Sequence, residues 1–354
     1  TVRHCRIFMS KLSFRVVIVL GAVLLFFAGC TPRTQQFGSQ AATPLISGHG
    51  VIVSDGTKLP LRIWESTKPE THVIIALHGF NDYSNSFALP AEWWSSKSIT
   101  TYAYDQRGFG NSSVDGIWPG IQILVQDLYD VIEAVQARHS DVPIILAGSS
   151  MGGAVILVAY GTSPFSNVRS SAASNGVVAS ATPSVQGTIL LAPAVWGRTT
   201  MSLLSRGILW LMAHLAPAAH VSGKNLYITP SDNIEMLRAL SKDPLVIKNT
   251  RIDSVYGLVN LMDAALDAAQ GFAVPTLVLY GDKDEIIPRE ATQLMLEGFG
   301  LSHRFVLYPN GYHMLLRDLQ AKTVWRDALY WIRDPSADLP FEQSPDVRKR
   351  LSEN

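Results

Sequence analysis

The sequence predicts an α/β fold: a mostly parallel central sheet with helices on both faces and an inserted helical cap. Three observations predict it. Short continuous apolar runs alternate with helical stretches, as strands buried on both faces do. One run passes through Gly148-Ser149-Ser150-Met151-Gly152 into a helix of small residues. A helical stretch with no strand pattern, residues 195–270, then stands between two later runs.

Composition sets the outer bounds. The chain has 354 residues, 47% apolar and 16% charged, enough for a large core. Its formal net charge is zero, with no basic stripe and no acidic tail, so a nucleic-acid partner is not expected.

The first element is a leader. Arg3, Arg6, Lys11 and Arg15 are positive, and no acid precedes Asp55. An apolar run of 14 residues, 16–29, follows and ends at Cys30. A bilayer takes about 20 residues, so a positive flank with a short apolar core reads as a secretory signal over residues 1–29. Phe27-Ala28-Gly29-Cys30 resembles a bacterial lipobox, and that resemblance implies cleavage before Cys30 and lipid on its thiol. The only other cysteine, Cys5, lies in the leader, so no disulfide is expected in the mature chain. Losing residues 1–29 removes four positive charges and no negative ones, leaving −4. The expected location is the envelope of a bacterial cell, anchored to a membrane by lipid. The alternative is an uncleaved anchor.

Residues 30–47 read as a lipidated cysteine with a flexible polar tether. The catalytic core is expected over 48–194 and 271–334. It opens with a hairpin, 51–53 against 59–64, turning at Asp55-Gly56. Strands follow at 72–77, 100–104, 143–147, 187–191, 275–280 and 304–308, with helical stretches at 86–98, 121–138 and from 151. Residues 162–186 read as a solvated loop insertion. The cap spans 195–270. Its stretch 201–217 (MSLLSRGILWLMAHLAP) is apolar almost all round, and so is either buried or facing lipid; it reads as internal packing of the cap or as a wall of an acyl-chain pocket. Residues 335–354 read as a loosely held polar tail.

The chemistry begins at Ser150. A serine on a tight strand-to-helix turn, flanked by glycines that permit the turn, is the arrangement of an activated nucleophile. The helix start behind it favours negative charge. A serine hydroxyl needs a base, itself oriented by an acid, and in this context the chain order is serine, acid, histidine. Only His303 and His313 follow the candidate acids. His303 opens a strand; His313 lies in the loop after one, Tyr308-Pro309-Asn310-Gly311-Tyr312, and is the expected base. Asp282 and Asp284 both follow the strand at 275–280, and sequence physics does not separate them. Backbone N–H donors for an oxyanion are expected from Met151 and from Phe80, in the loop His78-Gly79-Phe80-Asn81-Asp82. His78 stands too early to be the base and is expected to brace that loop. No metal constellation and no phosphate-cradling loop is legible, and no cofactor is expected.

The segments LHGF at 77–80, YDQRGFGNS at 104–112, GSSMGG at 148–153, LLAPA at 190–194, DPLV at 243–246, YGLVNLMDAA at 256–265, PTLVLYGDKDEIIP at 275–288 and YPNGYHMLLRD at 308–318 occur in one order. With them the chain resembles the monoacylglycerol lipase and lysophospholipase branch of the α/β-hydrolases, over about residues 50–333. The resemblance implies Asp284 as the acid of the triad. It departs from that pattern at Asn81, where the family carries glycine or another small residue. The function it implies is hydrolysis of carboxylic esters of single-chain lipids through an acyl-enzyme. A peptidase, thioesterase or C–C hydrolase is the rival enzyme, since the fold hosts many chemistries. A non-catalytic lipid-binding surface lipoprotein is the rival of another class.

Overall fold

The computed structural model describes residues 31–39, 41–112, 116–162, 164–165, 182–223, 228–300 and 303–341. The leader, Cys30, most of the 162–186 insertion and the last 13 residues lie outside the described residues.

The strands are β1 (Leu45–Ile46), β2 (Gly50–Ile52), β3 (Lys58–Trp64), β4 (His72–Leu77), β5 (Ile99–Tyr104), β6 (Ile144–Ser149), β7 (Gly187–Leu191), β8 (His220–Val221), β9 (Thr250–Arg251), β10 (Thr276–Gly281) and β11 (His303–Tyr308). Nine of them form one sheet in the order β1-β2-β3-β5-β4-β6-β7-β10-β11. From β5 to β11 every pairing is parallel; β3 joins β5 antiparallel and carries the hairpin outward. The helices are α1 (Ala88–Ser95), α2 (Ile121–Gln136), α3 (Met151–Tyr160), α4 (Leu203–Leu215), α5 (Ile234–Lys242), α6 (Ile252–Ala268), α7 (Arg289–Gly298) and α8 (Ala321–Arg333).

Strand β4 explains why HVIIAL is apolar throughout. Its alternate residues face opposite sides. Val73, Ile75 and Leu77 join the core under α2, α3 and α6, while Ile74 and Ala76 join the core under α1 and α8. Trp94 of α1 donates its indole N–H to the Trp325 carbonyl of α8 at 3.0 Å, tying that second layer together.

Where expectation and structure differ, the reason is tertiary. The stretch expected as a free tether returns to the domain. Gln35 donates from its backbone to the Trp118 carbonyl (3.0 Å) and from Nε2 to the Ile117 carbonyl (2.8 Å), and β1 adds an antiparallel edge to β2. Two-residue edge pairing leaves no periodicity to read. The cap is narrower than 195–270. Helix α6 lies on α3, with Leu261, Ala265 and Ala268 fully buried, so it belongs to the core. The cap also holds strand pairing, β8 with β9, too short to leave a pattern. The start of the expected loose tail is docked: Leu339 is fully buried, the Phe341 N–H donates to Asp327 (3.0 Å), and its ring meets Tyr308.

A buried cation holds the first turns of the core. Arg107 reaches Asp127 through Nε (2.9 Å) and Nη2 (2.7 Å), and Asp55 through Nη1 (2.8 Å). Its fork matches two carboxylates at once, which a lysine could not do.

Candidate active site

The register of the sheet brings three loops to one edge. Ser149 pairs with Leu191, Leu191 with Leu279, and Gly281 with Tyr308, so β6, β7, β10 and β11 end together. Residues after the carboxyl ends of parallel strands share one crevice. Ser150, Asp284 and His313 all follow those ends.

Ser150 has φ +50° and ψ −111°, a conformation that L residues rarely adopt. It is held there by neighbours. Its N–H donates to the Leu191 carbonyl (2.9 Å), and its own carbonyl accepts from Ala194 (2.9 Å) and Ala154 (3.1 Å). A Cβ on Gly148 would sit 2.5 Å from the Gly153 nitrogen, and one on Gly152 would collide with the Leu77 carbonyl. The glycines thus let strand, turn and the loop after β4 pack at contact distance.

Asp284 and His313 are in contact. His313 Nδ1 donates to Asp284 Oδ2 at 2.8 Å, and the Asp284 side chain is fully buried. The other carboxylate oxygen accepts from the N–H groups of Ile286 (2.8 Å) and Ile287 (3.1 Å), which locks its orientation. The two loops are stitched by Lys283 donating to the Gly311 carbonyl (2.9 Å). Asp282 points elsewhere, half-exposed and paired with Arg289 at 3.3 Å. Among the described residues no hydrogen bond joins Ser150 Oγ to His313; in enzymes without substrate such bonds are commonly long.

The loop after β4 lies against the serine. A Cβ built on Gly79 would stand 3.4 Å from Ser150 Cβ. Among the described residues no hydrogen bond takes up the N–H of Phe80 or Met151, so both amides are available to an oxyanion. His78 braces this loop: Nδ1 donates to the Gly79 carbonyl (2.8 Å) and Nε2 accepts from Gln106 N (2.9 Å). Burial pushes its pKa down, which suits a ring that must accept at Nε2. The Phe80 ring packs edge-on against Phe109 at 5.5 Å. His303 stands apart, its Nδ1 on the Gly300 carbonyl.

Several residues that hold these loops are invisible in the sequence. Asp318 accepts from the Tyr312 N–H (2.8 Å), next to His313, and from Ser231 Oγ of the cap (2.6 Å). Burial raises the Asp318 pKa; the two hydrogen bonds oppose it. Arg317 pairs with Asp82, joining the histidine loop to the loop after β4. The cap adds Met314 N to the Pro230 carbonyl (3.0 Å) and Thr229 N to Glu285 (2.6 Å). Apart from the Tyr312–Asp318 bond, these contacts join residues 56 to 235 positions apart, for which residue type alone carries no signal. A cavity of about 400 Å³ lies between the loop after β4 and the cap, lined by Asn81, Phe109, His220, Ile247 and Thr250 among others. Among the described residues no group of histidine, cysteine and acidic side chains could hold a metal.

Helix α4 answers the question its composition posed. Only Ala213 is buried; Leu203 is 80% and Leu204 73% exposed, and Ile208, Trp210, Leu211 and Leu215 are open as well. It is a surface helix with an apolar outer face. Among the described residues no helix is long and apolar enough to cross a membrane.

Residues 68–320 match the family model described as serine aminopeptidase, S33. The chain belongs to this family. The hydrolase is 23% identical over 295 residues to the monoacylglycerol lipase of Mycolicibacterium smegmatis, covering 81% of this chain and 96% of that protein. It is 22% identical over 302 residues to the human monoglyceride lipase, covering 81% and 90%. Among solved structures it superposes on a soluble variant of the Saccharomyces cerevisiae monoglyceride lipase bound to a substrate analogue, with TM-score 0.66 and 18% identity over 86% of this chain and all of that one. The fold is that of the α/β-hydrolases.

Proposed function

We propose that the hydrolase is a membrane-tethered carboxylic-ester hydrolase. It cleaves single-chain lipid esters of the monoacylglycerol or lysophospholipid type through an acyl-enzyme on Ser150. The observation that carries this reading is the buried Asp284–His313 pair on loops that share the sheet edge with a left-handed Ser150. With Nδ1–H engaged by Asp284, the neutral ring presents Nε2 as the base. Nε2 takes the Ser150 proton as Oγ attacks the ester carbonyl carbon. The carbonyl electron pair moves to oxygen, where the Phe80 and Met151 N–H groups meet it. Collapse expels the alcohol, which leaves with the proton from His313. Water then attacks the acyl-serine with His313 again as base, releasing the fatty acid and free Ser150.

Relatives named as monoacylglycerol lipases support the lipid ester, as does the outward apolar face of α4. The family description favours a second reading, an aminopeptidase. That activity needs a carboxylate free to hold the substrate ammonium. Here Asp82 is paired with Arg317 and Asp282 with Arg289, so neither is free for that role. The test is a panel of dissolved glyceryl, p-nitrophenyl and aminoacyl-p-nitroanilide substrates. Esters should dominate kcat/KM; faster turnover of the aminoacyl anilides would favour the peptidase.

The tether belongs to this reading as well. Cys30, by its lipobox-like setting, is the lipid-bearing residue, and the location is a bacterial envelope membrane. The bonds of Gln35 to Ile117 and Trp118 support a tether leaving near the cap. The cavity beside Gln35 is bordered by Tyr256, whose ring meets His214 of α4 at 5.7 Å. Lipid on Cys30 and the apolar face of α4 would then address one surface.

A further inference from the structure

The residue after Phe80 departs from ordinary backbone geometry. Asn81 has φ +63°, a left-handed conformation that glycine adopts freely and asparagine tolerates. Asparagine adds over glycine an amide side chain, and that amide is used. Its Nδ2 donates to Thr250 Oγ1 at 2.6 Å, and its backbone carbonyl accepts from the Ile247 N–H at 3.0 Å. Both partners belong to the cap. The Thr250 side chain is well shielded, at 8% exposure for the residue, so water competes weakly for the bond.

We propose that Asn81 is a positioning residue that couples the cap to the oxyanion hole, the Asn81–Thr250 bond holding the Phe80 N–H in line with that of Met151. The proposal rests on the ester-hydrolase reading above. Gly79, which lies on Ser150, has no side chain to fix the loop's angle. His78 grips the loop on one side of Phe80, and the Asp82–Arg317 pair grips it further along. Asn81 supplies the tie directly next to the donor, and it alone of these runs to the cap. The cavity of about 400 Å³ has Asn81, Ile247 and Thr250 in its wall, so a group bound there touches the joint itself. Displacement of the cap by substrate or by a lipid surface would therefore reach the oxyanion donor through one peptide.

The partner can be changed without touching the oxyanion loop. Thr250→Val keeps the shape and removes the acceptor; Thr250→Ser restores it. Asn81→Gly permits the positive φ and the carbonyl bond and removes the amide, with some added backbone freedom, so Thr250→Val is the primary variant. With dissolved p-nitrophenyl butyrate, Thr250→Val and Asn81→Gly should each lower kcat by about tenfold, a fraction of the loss when a donor is removed outright. KM should stay within about twofold. Fluorophosphonate labelling, which also builds an oxyanion, should slow by the same factor. Thr250→Ser should return to near wild type, and the double variant should be no worse than either single one. Thermal unfolding is followed in parallel, because a purely structural role would lower Tm and leave kcat alone. Unchanged kcat and labelling in Thr250→Val, or losses that multiply in the double variant, would overturn the coupling. If wild type turns over only aminoacyl anilides, the ester reading fails separately, and the same variants decide the coupling on that substrate.

Discussion

His313 Nδ1 stands 2.8 Å from Asp284 Oδ2, and the carboxylate is closed to solvent and fixed by two backbone N–H groups. Asp282, two residues earlier, spends its charge on Arg289 at the surface. Asp284→Asn should therefore lower kcat by about 10³–10⁴, the scale seen when a triad acid becomes an amide, with the fold retained. Asp282→Asn should stay within a few-fold of wild type. Steady-state kinetics with circular dichroism of both variants checks this, and the opposite order would move the acid to Asp282.

Ser150, the proposed nucleophile, is strained. Ser150→Ala should abolish fluorophosphonate labelling, and His313→Ala should nearly do so. Ser150→Gly should be equally dead yet more stable, by about 1 kcal/mol, because glycine relieves the positive φ at some cost in chain entropy. Denaturant unfolding of wild type, Ser150→Ala and Ser150→Gly separates the two effects. A Ser150→Gly protein less stable than Ser150→Ala would contradict the strain.

Leu204, Ile208 and Leu211 are open to solvent on α4 and recur at helical spacing, so they form one stripe. Changing all three to lysine should lower the ratio of activity on emulsified long-chain monoacylglycerol to activity on dissolved butyrate ester. Vesicle co-sedimentation of the domain should weaken in parallel. An unchanged ratio with unchanged sedimentation would remove α4 from the substrate surface.

Arg107 lies between two buried carboxylates, Asp55 and Asp127. Arg107→Ala leaves both without their cation and should cost about 3–5 kcal/mol in urea unfolding. Arg107→Lys should recover only part, since an ammonium cannot fork between two acids. A loss under about 1 kcal/mol for Arg107→Ala would mean that the acids are hydrated or protonated without it.

Cys30→Ser should leave a longer precursor with no lipid mass, while wild type loses residues 1–29 and gains lipid. One acyl chain anchors marginally and stable attachment needs more than one signal. Intact mass and membrane fractionation from a bacterial host read both. A wild-type chain that keeps residues 16–29 would favour the uncleaved anchor.

Much of the fold was legible because its signals are local. Runs such as HVIIAL announce strands buried on two faces, and β4 sends Val73 and Ile74 into opposite cores. Gly148 and Gly152 around Ser150 are demanded by a turn only a few residues long, so the setting of Ser150 could be read from them. The choice between Asp282 and Asp284 was open to residue physics, because both follow the same strand end; the contact with His313 distinguishes them.

The sequence by itself determined the strand–turn–helix at Ser150 and the apolar character of α4. Each follows from periodicity or turn chemistry within about ten residues. Only the tertiary structure decided that α4 turns its apolar face outward while α6 belongs to the core. It alone joined Ser231 to Asp318, Arg317 to Asp82 and Asn81 to Thr250. Those pairs lie 87, 235 and 169 positions apart. Their meeting depends on where the sheet places each loop, and no property of either residue alone encodes it.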